Sequence, residues 1–326
     1  MPVKPTETRA DGGTPEIPLT EVSEEEVTAS DRLGTWFAKR FDTFRVAWED
    51  WRFKTGLFVL GIFVLLGTVG VRVYPEPTMT VGVKWVEPFQ SLTYPFGTTQ
   101  YGQGIFAMLV HATPTMLEMV VGGAIFATGV GTIVGVTAGY KGGRVDSVMT
   151  TITDIAMMLP ALPLIIVISS IFEPQRAFIV GILVSINAWA GGARALRSQV
   201  LTIREDSYVE ASRIMGVPTS KILATDIVPQ LLPLILVNLV MAGRAVIFNA
   251  VALYFLGVLP YTTVNWGVML NLAYESGAVT TPRIFYTIAF PLATIVLFSW
   301  GLIMLAQGLD RVVNVRVRAE TPEEYE

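Results

Sequence analysis

The 326-residue chain has no cysteine, which excludes disulfides, zinc ribbons, iron–sulfur clusters and thiol nucleophiles together. Its single histidine, His111, leaves almost no room for a histidine-based metal site or triad. Charge is scarce too: Asp, Glu, Lys and Arg make up 15% of the chain, where a soluble domain carries about 25%. Disordered and nucleic-acid-binding chains need more charge than this, so both classes fall away. No stretch reads glycine, four residues, glycine, lysine, then serine or threonine, so the chain has no P-loop with which to cradle ATP phosphates.

What is present is apolar. Hydrophobic residues make up 52% of the chain and the mean hydropathy is +0.54. The formal charge of −4 hides an asymmetry. Residues 1–31 hold eight acids against Lys4 and Arg9, a net of −6, so the remainder is +2. This is a membrane protein with an acidic tail. The tail, residues 1–32, has nothing that could bury a core and reads as disordered. It lacks the positive start and apolar middle of a signal peptide. Residues 33–54 interleave Trp36, Phe37, Phe41, Phe44, Trp48 and Trp51 with Lys39, Arg40, Arg45 and Arg52, a pattern that predicts an amphipathic helix on the membrane face.

Six apolar stretches follow, each measured against the roughly 20 residues that cross a bilayer. They cover 55–74, 116–139, 148–172, 177–193, a part of 227–259, and 284–309. Residues 55–310 are therefore expected to form a six-helix, all-α transmembrane domain, with residues 311–326 as a tail. Prolines at 160, 163, 229, 233 and 291 are expected to kink their helices. With the N-terminus inside, the inner segments from residue 33 onward hold fifteen Lys and Arg and the outer ones four: Arg72, Lys84, Arg176 and Arg283. That bias places both termini in the cytoplasm. The outer stretch Asn265-Trp266-Gly267-Val268-Met269-Leu270 is too apolar for a loop and too short to span, and predicts a re-entrant or interfacial helix.

The inner loop between the fourth and fifth stretches carries the strongest local signals. Ser207-Tyr208-Val209-Glu210 reads as a capping box. Gly216 suits a left-handed helix end, and Pro218 prevents continuation. A helix of about two turns between them, the core of a docking segment at 207–216, is too short to hold alone. Tyr208, Ala211, Ser212 and Met215 fall at i, i+3, i+4 and i+7, a stripe suited to a groove on a soluble partner.

These residues carry a resemblance. Glu210-Ala211-Ser212, Gly216 and then Ile227-Val228-Pro229 resemble the EAA loop of ABC importer permeases, with Ser212 in place of the second alanine. Pro95-Phe96-Gly97-Thr98, the run from Ala138 to Asp146, the run from Ala193 to Val200, Phe255-Leu256-Gly257 and Trp266-Gly267 are similar to the C-type permease of oligopeptide and dipeptide importers. One stretch departs: the charged residues usual after Pro-Phe-Gly-Thr are replaced by Thr99-Gln100-Tyr101-Gly102-Gln103-Gly104.

The resemblance implies a non-catalytic, type I importer-like permease in the cell membrane. It implies four partners besides the bilayer: a homologous second permease, two cytoplasmic ATPases and an extracellular substrate-binding protein. ATP and magnesium would sit on the ATPases, with no cofactor, metal or nucleic acid on this chain. Tyr208, Glu210, Ala211, Ser212, Met215 and Gly216 would couple to the ATPases. Solutes of similar permeases include oligopeptides, dipeptides, nickel and oligosaccharides.

Two other classes compete. A secondary transporter or channel explains the spans but not the inner helix, and predicts intramembrane acids or inverted repeats. A membrane enzyme lacks plausible chemistry. Gly131, Gly135 and Gly139 make one smooth helix face for packing within the subunit or against a partner permease. Arg244, deep in the fifth stretch, is expected in the translocation path or in a buried ion pair. Asp154 and Glu118 are expected near span ends, snorkelling or facing helix dipoles, and His111 in an outer loop.

Overall fold

A computed structural model describes residues 48–77, 83–261 and 263–320, with side chains to residue 311. The acidic segment 1–32, most of the expected interfacial helix 33–54 and the last six residues lie outside the described residues. The first long helix, α1, is Trp51–Val73, so it begins inside the segment expected to lie on the membrane face. Asp50 sets that start: its carboxylate accepts the amide of Arg52 at 2.7 Å, as an N-cap does. The Arg311 guanidinium donates to the same carboxylate at 3.0 Å, which joins the start of α1 to the last long helix.

The described residues are helical apart from loops and one isolated bridge between Thr98 and Gly104. Helix α2 is Ile105–Lys141, and begins eleven residues before the expected span. His111 therefore lies in a helix, not a loop, where its Nε2 makes a 3.0 Å hydrogen bond with the carbonyl of Tyr74. Pro114, which beside Thr113 would suit a helix start, is interior to α2. Glu118 consequently lies well inside this helix, where it accepts the amide of Phe178 at 3.3 Å. That amide belongs to the first turn of another helix, so the carboxylate does face a helix N-terminus.

The third and fourth expected spans are each broken. Helices α3, Gly143–Met158, and α4, Ala161–Phe172, meet at 89°, and α5, Ala177–Val184, and α6, Trp189–Ile203, at 60°. Pro160 restricts Leu159 to an extended backbone, ψ 128°, which ends α3. No proline marks the other break. Side-chain amides satisfy carbonyls at both: Asn249 Nδ2 donates to Val184 at 3.0 Å and Asn187 Nδ2 to Leu159 at 3.4 Å.

Helix α7 is Ser207–Ile214, α8 is Thr219–Phe255, α9 is Trp266–Glu275 and α10 is Tyr286–Glu320. Helix α10 thus runs through much of the segment expected as a C-terminal tail. Helices α1, α2, α8 and α10 are each long and apolar enough to cross a membrane, and the bent pairs raise the number to as many as six. Helix α9 is the short helix expected near Trp266. Asn265 caps it by accepting the amide of Val268 at 3.0 Å, and Trp266 is fully buried with its ring 5.6 Å from both Phe63 and Phe298.

Candidate docking site

Helix α7 hangs from α6 by three residues and is shaped by its two ends. Its N-cap is Asp206, in extended conformation, whose carbonyl accepts the amides of Val209 at 3.0 Å and Glu210 at 3.1 Å. The expected capping box does not form. The helix starts one residue earlier than that motif requires, with Ser207 inside it and no side-chain cap from Asp206. The other end follows the chemistry of its residues closely. Gly216 has φ +72°, its amide bonds the carbonyl of Arg213 at 3.1 Å, and the Val217 amide reaches Ser212 at 3.1 Å. These two bonds are a Schellman motif.

One apolar side chain anchors the helix. Val209 is fully buried, in a cluster with Val136, Leu196, Val200, Ile222, Ile227 and Leu231. It lies just off the expected stripe, and its signal was being the apolar residue amid polar neighbours in the first turn. The stripe itself divides. Gln230 Nε2 donates to the Tyr208 hydroxyl, and Ser212 donates to Asp226 at 3.1 Å, tying both to the start of α8. Burial pushes the Tyr208 phenol up, so it stays protonated beside Asp206 and Asp226. Ala211 is open, and at the tip Ile214 and Met215 are 79% and 72% exposed. Ile214 went unrecognised as part of this surface.

Glu210 and Arg213 line a cleft of about 720 Å³ together with Tyr140, Lys141, Arg204, Glu205 and Thr219. Arg213 lies 5.5 Å over the Tyr140 ring, and Arg204 donates to the carbonyl of Gly139 at 2.9 Å. The end of α2, the end of α6 and α7 thus form one polar surface beside an exposed apolar tip.

Behind this surface, α6 is pressed onto the glycine face of α2. A Cβ at Gly131 would stand 2.9 Å from the carbonyl oxygen of Trp189, and one at Gly135 would stand 2.4 Å from that of Ala193. At Gly139 it would be 2.7 Å from Val200 Cβ. The three glycines therefore pack within the subunit. Helix α3 is tied to α6 by Arg197 with Asp146, at 2.5 and 2.6 Å, and by Arg194 with Asp154. Asp154 is thus ion-paired to a neighbouring helix.

Residues 131–319, more than half of the chain, match the family described as binding-protein-dependent transport system inner membrane component. The chain belongs to this family. It is similar to the dipeptide transport system permease protein of Bacillus subtilis, 28% identical over 264 residues that cover 81% of each chain. It is also similar to the oligopeptide transport system permease protein of the same organism, at 27% over 81% of this chain and 85% of the relative. The oligopeptide transport system permease protein of Lactococcus lactis subsp. cremoris is 29% identical over 68% of this chain and 74% of its own. The protein is accordingly a multi-pass membrane permease component, of a family whose members are not themselves enzymes.

The matched range takes in the glycine face, both helix breaks, α7 and Arg244 of this permease. Arg244 is neither ion-paired nor hydrogen-bonded among the described residues: its Nε is buried without a partner, and its guanidinium lies 5.2 Å over the Phe248 ring. The Pro95–Thr98 motif precedes the matched range and has a structural role. Thr98 donates to the Val83 carbonyl at 2.6 Å and accepts the Val86 amide at 2.9 Å. The Tyr286 hydroxyl donates to the Thr98 carbonyl at 2.9 Å, and Phe96 stacks on Phe290 at 4.2 Å. The motif thereby fastens this loop to the start of α10.

Proposed function

We propose that this permease is one of two homologous membrane subunits of an ATP-driven importer of peptide-like or other oligomeric solutes. Solute, delivered by an extracellular binding protein, passes between the two subunits. Two cytoplasmic ATPases, holding ATP and magnesium, drive the cycle, and α7 is the element they grip. Both termini face the cytoplasm, as the distribution of Lys and Arg requires. The names of the Bacillus relatives support the solute class.

The observation that carries the reading is the division of α7. A helix of eight residues is held by one buried valine and by the hydrogen bonds of Tyr208 and Ser212 to α8, while its tip presents Ile214 and Met215 beside a charged cleft. Exposed apolar residues on a helix end, rimmed by charge, suit insertion into a groove of a soluble partner. The direct test is retention of the ATPases by the tagged permease purified from membranes. Ile214→Glu should lose them while the second permease stays bound, and ATPases retained at the wild-type ratio would refute the docking role. Orientation is tested in this cysteine-free chain by Ser220→Cys and Glu275→Cys, which should react from inside and outside respectively.

A further inference from the structure

Arg244 is the clearest unsettled charge in the membrane-spanning region. It lies about 4 Å from the midpoint of the Val228–Phe255 helix, at 1.5 Å per residue. A charge at such depth costs about 2.5–3.5 kcal/mol on insertion scales unless something compensates it. Within the subunit the compensation is incomplete. The Phe248 ring carries part of the guanidinium, Nε is enclosed without an acceptor, and no described carboxylate reaches it.

The surroundings narrow what could complete it. Arg244 shares its helix face with Met241, one turn before, and Phe248, one turn after, and both are exposed on the subunit. With the middle of that helix at the bilayer centre, about 11 Å of hydrocarbon, half of a roughly 30 Å core less the offset of about 4 Å, lies between Arg244 and the nearer headgroup layer, and its Nε is enclosed by protein. A passing solute would leave the charge bare for the rest of the cycle, on a face whose neighbours are apolar. A resident anion would satisfy it in every state. An apolar patch with one central arginine is also what the core of a protein–protein contact looks like.

We infer that the Met241–Arg244–Phe248 face of α8 is a contact with the second permease, which presents a membrane-embedded carboxylate to the Arg244 guanidinium. The inference rests on the two-permease reading proposed above. It adds the surface, the depth and the charge of the partner group.

The test uses the whole importer, purified from membranes through a tag on this chain. Recovery of a second permease with the wild-type chain is the control: without it the two-permease reading fails before the inference is reached. Given recovery, a photo-reactive benzoylphenylalanine in place of Phe248 should cross-link to the second permease. Arg244→Gln should lower recovery of that permease at least several-fold, and Arg244→Lys should lower it less. Neutralising one Asp or Glu within the second permease's spans should restore recovery with Arg244→Gln. Cross-linking to solute or to lipid alone would overturn the inference. So would full recovery with Arg244→Gln, or a second permease with no acidic residue in its spans.

Discussion

Arg197 holds both carboxylate oxygens of Asp146, at 2.5 and 2.6 Å, and so joins α3 to α6 within two turns of the end of α6 that leads to the docking helix. A second pair, Arg194 with Asp154, lies closer to the two helix breaks. With α6 also seated on the glycine face of α2, the helix from which α7 hangs is packed on α2 and ion-paired to α3.

The two ion pairs should not be worth the same. The Arg197 and Asp146 side chains are 30% and 18% exposed, whereas Arg194 and Asp154 are 55% and 40% exposed. Bidentate geometry and partial burial favour the first pair. A double-mutant cycle with Arg197→Gln and Asp146→Asn should give a coupling of about 1–3 kcal/mol. The corresponding cycle for Arg194 and Asp154 should give below about 1 kcal/mol. Thermal unfolding in detergent measures both, and equal couplings would mean that exposure does not grade these pairs.

The glycines of α2 separate packing from helix propensity. A Cβ at Gly135 would sit 2.4 Å from a backbone oxygen, so Gly135→Ala must push α6 away and should cost about 1–3 kcal/mol. Gly129 lies in the same helix with nothing within 4 Å of its would-be Cβ. Gly129→Ala should be neutral or stabilise by up to about 1 kcal/mol. Opposite shifts of the melting midpoint are expected; a loss at both sites would point to helix flexibility rather than close packing.

Much of this organisation was legible locally, and what was not depended on distant partners. Gly216 and Pro218 announce a helix stop through their own backbone preferences, and the stop is there. The start of α7 was misplaced because Asp206 and Ser207 are both good caps, and only the chain's path from α6 decides between them. His111 reads as a loop residue beside a helix start at Thr113 and Pro114, yet the carbonyl of Tyr74 engages the histidine and α2 continues through the proline. The break at Pro160 has a local cause. The break after Val184 is stabilised by Asn249, sixty-five residues away, and no window of sequence contains both. Val209 falls outside a stripe drawn to face a partner, because its side chain faces inward.

Asp50 should make stability depend on acid pH. Burial alone would push its carboxyl up, but the Arg52 amide and the Arg311 guanidinium outweigh it and hold it below the ordinary carboxylate range. A folded-state value below the unfolded one, about 3.9, means the contribution is complete above that value. It is lost as pH falls through the folded value. Asn also caps helices, so Asp50→Asn should cost about 1 kcal/mol or less at pH 7, chiefly the Arg311 pair. The gap between variant and wild type should begin to narrow below about pH 4 and be gone once the pH is below the folded value. A gap in melting midpoint that stays constant as the pH falls from about 5 toward about 2 would assign the loss to something other than the charge.

Gly216 offers the sharpest test of coupling, because its constraint is conformational alone. Its φ is +72°, yet a Cβ there would meet nothing within 4 Å. Substitutions should therefore rank by tolerance of the left-handed region and not by size. Asn visits that region readily, while a β-branched residue there is a genuine outlier. Gly216→Asn should be nearly silent. Gly216→Val should undo the bonds from Gly216 to Arg213 and from Val217 to Ser212, loosening the last turn that carries Ile214 and Met215. No membrane helix is touched, so insertion and recovery of the second permease should be unchanged for both. In reconstituted importer with binding protein, Gly216→Val should lose most solute-stimulated ATP hydrolysis and uptake, and Gly216→Asn should keep most of each. Wild-type stimulation and uptake in Gly216→Val would reduce α7 to a connector, because the geometry of its tip would then not matter to the ATPases.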